Sequence, residues 1–369
     1  MGEILFSDID TPSLLIEASI LEENLQSMQN ICNSANVKLR PHIKTHKSTQ
    51  IGKMQLAMGA SGIACAKVTE ALVFAEAGFD DIQIANIVVG EHKFKNLLKL
   101  KSLTKCVTVC VDNFDNAKIL EEYFGSCNEK INVLLKVDCG YHRCGLADKF
   151  KILELSKYLT SSNVLNFKGI TTHAGQAYGA KSKEELHEIA GYEASFMLDI
   201  ANFLRENGVK IDEISVGSNP TARISSQYKG ITEIRTGNYV FNDMIQVNLG
   251  TVSERNCALT VLTQVISIPA GDRVIIDAGS KAFSSDKGAH GNETNPYFGK
   301  IIGKDAKIVR LSEEHGIVHH KGEKFEVGER LRVIPNHACT TTNMFEKAYL
   351  VDGKKVIREI IIDVRGKIQ

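Results

Sequence analysis

The chain has 369 residues, and 44 Lys+Arg balance 44 Asp+Glu, so no net field favours nucleic acid or an anionic membrane surface. Apolar content of 43% is that of a globular protein, and no stretch approaches the roughly 20 apolar residues that span a bilayer. Nine cysteines without disulfide-like spacing, and an opening "MGEILFSDID" without a signal-peptide pattern, imply a soluble chain in a reducing, cytoplasmic setting.

In chain order, "PSLLIEAS" reads as a strand that pairs into a later domain rather than into the repeat that follows. Then short β-branched runs alternate with helical patterns. "VKLRPHI" leads to Lys44 and a helix, "GIACAK" precedes "TEALVFAEAG", and "DIQIAN" precedes "KFKNLLKLK". "CVTVCV", "INVLLKVD" and "FKGITTHAG" each precede a helix, and "IDEISVG" and "EIRTGNYVF" close the series. Short apolar runs of this kind are buried parallel strands. Eight of them point to a (β/α)8 TIM barrel rather than an open doubly wound sheet, with "SNPTARISSQYKG" as a weakly amphipathic seventh helix.

Beyond about residue 245 the helices stop. "ALTVLTQVISI", "RVIIDAG", "AKIVRLSEEHGIVHH", "ERLRVIPNH" and "KVIREIIIDVRG" are strands joined by turns, an antiparallel β domain. The expected division is a barrel over 21–244 and a β domain made of 1–20 with 245–369.

A barrel of this kind places its active site at the C-terminal ends of its strands. Strand one ends at Lys44, inside "LRPHIKTHKS", where Arg40, His42, His46 and Lys47 are its neighbours. Strand five ends with Asp138, His142 and Arg143, and strand six with His173, Gln176 and Tyr178. Strand seven ends with Gly217, Ser218 and Asn219, and strand eight with Gly237 and Asn238. Glycine beside small polar residues after strands seven and eight is the usual phosphate cradle of the fold, because bare backbone N–H groups reach phosphate oxygens there. A phosphate site together with a strand-end lysine and arginine suggests pyridoxal 5'-phosphate, whose aldehyde needs a lysine amine. Neighbouring positive charge and partial desolvation depress a lysine pKa, which favours Lys44, with Lys47 its competitor.

In the β domain "IPNHACTT" sets His337 and Cys339 two apart, so on a strand the two side chains share one face. An imidazole and a thiolate facing one way can form a two-ligand zinc site with open positions, whereas H-x-C by itself is more often a structural pair and gains weight only where the strand end faces the cofactor.

"RPHIKTHK", "VDCGYHRCG", "THAGQAYG", "SVGSNPT", "EIRTGNYVFND", "DAGSKAFSSDKG" and "PNHACTT" occur here in order, and with them the chain resembles the family of D-threonine aldolases and metal-dependent D-serine dehydratases. That family belongs to the alanine racemase-like, fold-type III pyridoxal enzymes. The resemblance runs from Thr11 to Thr342 and implies a barrel plus a C-terminal β domain, with a homodimer as the usual assembly. It implies that Lys44 forms the Schiff base, that Arg143 lies near the phenolic oxygen, and that His173 and Tyr178 flank the ring. Gly217, Ser218, Gly237 and Asn238 would form the phosphate cup, and His337 and Cys339 would hold the metal. The aldolases resemble H-x-D at the last place and the zinc-dependent dehydratases H-x-C; a thiolate also favours zinc over manganese or magnesium. "HAGQ" departs from the histidine that many relatives have after the glycine, which leaves the role of Gln176 open.

The expected activity is β-elimination of water from a β-hydroxy-D-amino acid, D-serine to pyruvate and ammonia. Retro-aldol cleavage of D-threonine and dehydration of 3-hydroxyaspartate are the neighbouring alternatives. A racemase has no use for the metal pair. A non-catalytic pyridoxal phosphate carrier is the alternative of a different class, and such carriers tend to be a barrel alone.

Overall fold

The computed structural model describes residues 8–270, 273–291, 293 and 295–369. The opening "MGEILFS", read above as leaderless and as part of the β domain, lies outside the described residues. The chain divides into two compact units: one gathers residues up to Ser27, Thr45–Ile51 and Asn238–Gly366, and the other holds Met28–Lys44, Gly52–Gly237 and Lys367–Gln369.

The second of these units is built on eight strands in one parallel sheet. They are β2 (Lys38–Leu39), β3 (Ile63–Cys65), β4 (Asp81–Ile87), β5 (Cys106–Val111), β6 (Ile131–Lys136), β7 (Leu165–Thr171), β8 (Glu213–Val216) and β9 (Glu233–Ile234). They follow one another as β2-β9-β8-β7-β6-β5-β4-β3. Past the end of β2, Ile43 N–H donates to Ala64 O at 2.9 Å and Ala64 N–H to Pro41 O at 2.8 Å, which joins β2 to β3 and closes the barrel. All eight expected strands are present. They are short and apolar because both of their faces are covered.

Local signals set the helices between them. Asn113, Asp148 and Ser182 cap the helices Phe114–Ser126, Lys149–Ser161 and Lys183–Glu206 by accepting backbone N–H bonds. The helix Glu91–Leu103 buries Phe94, Leu97 and Leu100, a three-residue spacing that keeps one face on the sheet. The expected weak seventh helix shrinks to Ala222–Ser225.

Arg40 lies at the N-terminal ends of the strands, not among the groups around Lys44. Its Nε donates to Glu233 Oε2 at 2.7 Å, and its Nη1 and Nη2 donate to the Asp81 carboxylate at 2.8 and 3.1 Å. The expectation that it tunes Lys44 is therefore corrected: two carboxylates of the barrel floor hold it. Burial penalises the Glu233 carboxylate, but Arg40 and Ser215 hold its pKa below the usual range. Breaking a buried pair leaves a charge unpaired, so Glu233→Ala is expected to cost about 3–5 kcal/mol of stability in urea unfolding. The pair's contribution is fully present above the unfolded glutamate pKa of about 4.3 and is lost as pH falls through the depressed value. A loss under about 1 kcal/mol would show that the pair carries no such load.

The other unit is a nine-stranded sheet. β1 (Ser13–Glu17) joins β10 (Leu259–Ala270), β11 (Arg273–Ile276), β12 (Gly299–Ile301), β13 (Ala306–Leu311), β14 (Gly316–His320), β15 (Arg330–Pro335), β16 (Lys347–Asp352) and β17 (Lys355–Ile361). Its order is β11-β14-β13-β12-β15-β10-β1-β16-β17, and the extra pairing of β10 with β11 closes six strands into a small antiparallel barrel. β1 runs antiparallel to β10 and parallel to β16, with Leu14, Leu15 and Ile16 fully buried. β12 and β16 were not anticipated, and "GKI" is too short to show alternation. All nine cysteines are free, and no helix of the described residues is long and apolar enough to cross a membrane.

Candidate active site

Lys44 is half-buried just past the bridge that closes the barrel, and its N–H donates to His42 Nδ1 at 3.4 Å. His42 N–H donates to Thr236 O at 2.8 Å, and Thr236 Oγ1 donates to Asn219 Oδ1 at 2.7 Å, so the ends of strands one, seven and eight are tied together. Lys47 has another task. It is buried with φ +50°, its Nζ donates to Val364 O at 3.3 Å, and its own carbonyl accepts from Val364 N–H at 3.1 Å. His46 is also buried, and its Nδ1 accepts from Ser48 N–H at 3.1 Å.

After β6 the chain curls around one carboxylate. Asp138 Oδ1 accepts from the N–H groups of Gly140, Tyr141 and His142 at 2.9, 2.9 and 3.0 Å. Desolvation opposes its charge, yet these bonds and His142 hold its pKa below the ordinary range. The curl sets the exposed Arg143 guanidinium 4.9 Å from the Tyr141 ring centroid, and Tyr141 meets the His173 ring edge-on at 5.9 Å. His173 Nδ1 donates to Gly217 O at 3.2 Å, since a carbonyl only accepts. The glycine of "HAGQ" is required by Tyr141: a Cβ on Gly175 would lie 2.6 Å from that ring. Gln176 Nε2 donates to Cys139 O at 2.9 Å, its Oε1 is buried without a hydrogen-bond partner, and Tyr178 is buried beside it in the turn Gly175–Gly179.

At the end of β8 the structure changes the reason for the glycine. Gly217 has φ +123°, and a Cβ there would lie 2.8 Å from Arg235 O, so its bareness admits the neighbouring strand. Its N–H donates to Glu193 Oε1 at 3.0 Å, and Ser218 N–H donates to Thr221 Oγ1 at 3.0 Å. These two amides are thus spent on the protein, contrary to the expectation that they are bare, and the Ser218 hydroxyl lies 3.1 Å from that of Thr221.

Glu193 was missed in the sequence. Fully buried, it also accepts from Ala174 N–H at 3.3 Å and Ser225 Oγ at 2.8 Å, so one carboxylate joins the ends of strands six and seven. A signal existed: Glu193 falls in the buried stripe Leu186, Ala190, Ala194 and Met197, where a lone carboxylate is out of place. Glu193→Ala leaves three buried donors without their acceptor and is expected to cost about 3 kcal/mol or more, read as a lower unfolding midpoint. An unchanged midpoint would remove it from the site's framework.

Gly237 is buried at the end of the barrel unit, and Asn238 opens the turn Asn238–Val240 of the other unit. Asn238 Nδ2 donates to Asp243 Oδ2 at 2.6 Å, while its Oδ1 is buried without a hydrogen-bond partner. Asp243 Oδ2 also accepts from Ala338 N–H at 2.9 Å, which anchors the backbone between His337 and Cys339. Burial raises the Asp243 pKa, against the pull of His337.

The strand argument for His337 and Cys339 is corrected. β15 ends at Pro335, and His337 is the extended N-cap residue of the short helix Ala338–Thr342, which contains Cys339. The two side chains nevertheless meet. Burial works against the His337 charge, but the hydrogen-bonded Cys339 sulfur and Asp286 outweigh it and raise the pKa to about 10. Asp286 Oδ2 lies 2.8 Å from His337 Nδ1, and Thr45 Oγ1 lies 3.2 Å from Cys339 Sγ.

Among the described residues no three His, Cys, Asp or Glu side chains are grouped to hold a metal, and the candidate ligands are the pair His337 and Cys339. One nitrogen and one sulfur fit zinc. In the barrel unit, the unpartnered buried oxygen of Gln176 fits a polar ligand at its turn. A cavity of about 770 Å³ lies instead at the N-terminal ends of β5–β8, lined by Lys101, Lys105, Lys130, Asn132, Lys168 and Lys210, away from this chemistry.

Residues 16–244 match the alanine racemase N-terminal domain and residues 258–351 a putative serine dehydratase domain. A D-threonine aldolase of Arthrobacter sp. is 34% identical over 96% of this chain and 91% of its own length. A D-serine dehydratase of Dictyostelium discoideum is 30% identical over 95% of both chains. The solved D-threo-3-hydroxyaspartate dehydratase of Delftia sp. HT23 superposes with a TM-score of 0.90 at 30% identity, covering 97% of this chain and 98% of that one. A histidine-to-alanine and a cysteine-to-alanine variant of the D-threo-3-hydroxyaspartate dehydratase are also solved, the second in a metal-free form. With both of its domains matched and relatives of 30% identity or more along almost its whole length, the chain belongs to the alanine racemase-like, fold-type III family that includes the D-threonine aldolases and the D-serine and 3-hydroxyaspartate dehydratases.

Proposed function

We propose that this protein is a pyridoxal phosphate- and zinc-dependent lyase that eliminates water from a β-hydroxy-D-amino acid, with D-serine the substrate and pyruvate and ammonia the products. The observation that carries the reading is the Thr45 hydroxyl, next in the chain to Lys44, lying 3.2 Å from Cys339 Sγ. It sets the residue after the reactive lysine against the sulfur of the nitrogen–sulfur pair. Lys44, Arg143, His173, Tyr178, Ser218, Gly237 and Asn238 would hold the cofactor, with Gly217 shaping the turn, and His337 and Cys339 would hold the metal. The engagement of Lys47 with Val364 supports Lys44 as the reactive amine.

Pyridoxal phosphate supplies an electron sink for a carbanion at Cα, and zinc supplies Lewis acidity for a leaving hydroxyl. Lys44 Nζ takes the Cα proton from the face it occupies, which sets the preference for D substrates. The Cα–H electrons form the new double bond as the Cβ–O bond breaks. The leaving hydroxide takes up the proton that Lys44 Nζ removed and departs as water, and the released 2-aminoacrylate is hydrolysed by a second water to pyruvate and ammonia. His173, fixed through Nδ1 on Gly217 O, holds its ring against the Tyr141 edge and keeps that side of the site ordered.

The Arthrobacter relative favours a second reading, retro-aldol cleavage of D-threonine to glycine and acetaldehyde. The purified protein, assayed for zinc and fed D-serine or D-threonine in turn, separates the two: pyruvate from D-serine supports the dehydratase, and glycine from D-threonine the aldolase. We also propose a cytoplasmic homodimer, which sedimentation of the holoprotein tests.

A further inference from the structure

We propose that Asp286 is the positioning residue of the metal pair: it holds the His337 imidazole by Nδ1 so that Nε2 is the nitrogen offered to the ion. This rests on the reading of His337 and Cys339 as the zinc ligands. A neutral imidazole has one donor and one acceptor nitrogen, and a carboxylate can only accept. With Asp286 Oδ2 at 2.8 Å, Nδ1 keeps its proton when the ring is neutral, as a metal ligand must be, and Nε2 then offers the lone pair. Nε2 is then the ring nitrogen left to a metal ion, since Nδ1 is held by the carboxylate.

Asp286 is itself fixed against the same loop. Its carbonyl accepts from Asn336 Nδ2 at 3.1 Å, and its N–H donates to Ser284 Oγ at 3.3 Å. Ser284 Oγ lies 3.0 Å from Thr340 Oγ1, and Thr340 Oγ1 donates to His337 O at 3.2 Å. Ser284, Asn336 and His337 therefore hold Asp286 from three sides. Ser284 has φ +61° and ψ 178°, a region that glycine occupies almost alone. A serine kept there shows that the surrounding bonds over-determine this segment. Partners of this kind orient a metal-binding imidazole and raise its basicity, and removing them weakens metal binding by about 10–100-fold.

The test uses the full-length protein loaded with pyridoxal phosphate, comparing the parent with Asp286→Asn, Asp286→Ala and Cys339→Ala. Zinc affinity is measured by competition with a chromophoric chelator, cobalt(II) replaces zinc for absorption spectra, and cofactor affinity is measured by fluorescence. For Asp286→Asn we expect about 10–100-fold weaker zinc binding, a cobalt spectrum changed in ligand-field bands but keeping its sulfur charge-transfer band, and cofactor affinity within about twofold. That unchanged cofactor affinity separates a local effect from misfolding, and the Asn variant serves if Ala does not fold. Zinc affinity within about twofold of the parent in Asp286→Asn, with zinc lost in Cys339→Ala, overturns the role of Asp286 alone. Zinc retained in Cys339→Ala overturns the metal pair, and the proposal with it.

Discussion

Lys44→Ala should lower D-serine turnover by at least about 10²–10⁴-fold, the range that a positioned general base contributes. The variant should still bind pyridoxal phosphate, though without the covalent link. Borohydride treatment of the parent, followed by peptide mapping, should place the pyridoxyl label on Lys44, and the variant should carry none. Lys47→Ala should behave differently: its amine holds Val364 O, so the loss falls on stability while the label stays on Lys44. A label on Lys47 in the parent would sink this assignment.

Cys339→Ala should remove zinc and lower turnover by about 10²–10³-fold, which corresponds to the several kcal/mol that a Lewis acid contributes. Cofactor binding should remain, because no proposed cofactor contact passes through the sulfur. The expected pattern is a spectrum typical of bound pyridoxal phosphate with little pyruvate formed and no recovery on adding zinc. Full activity in a metal-free preparation of the parent would remove the metal from the mechanism altogether.

Much of the scaffold was legible in the residues. All eight barrel strands were visible because a parallel strand covered on both faces must be a short apolar run, and "CVTVCV" and "INVLLK" are such runs. In the other unit β12 was not: its three residues are too few for alternation to show. His337 and Cys339 were chosen for their chemistry, yet their conformation was misread, because the strand stops at Pro335 and a helical turn follows. The two side chains converge through that turn and not through a strand's alternation.

What the sequence determined by itself is the kind of each main element and the reactive groups that sit at its ends. Both follow from interactions within a few residues, periodic burial and turn chemistry, which leave a local trace. What only the tertiary structure decided is where those groups point. Asp286 reaches His337 across 51 positions, Asp243 reaches Ala338 across 95, and Lys47 reaches Val364 across 317. No local pattern encodes such partners, because a hydrogen bond depends on distance in space and not along the chain. They decide which nitrogen of His337 meets Asp286 and which of two lysines is committed to structure.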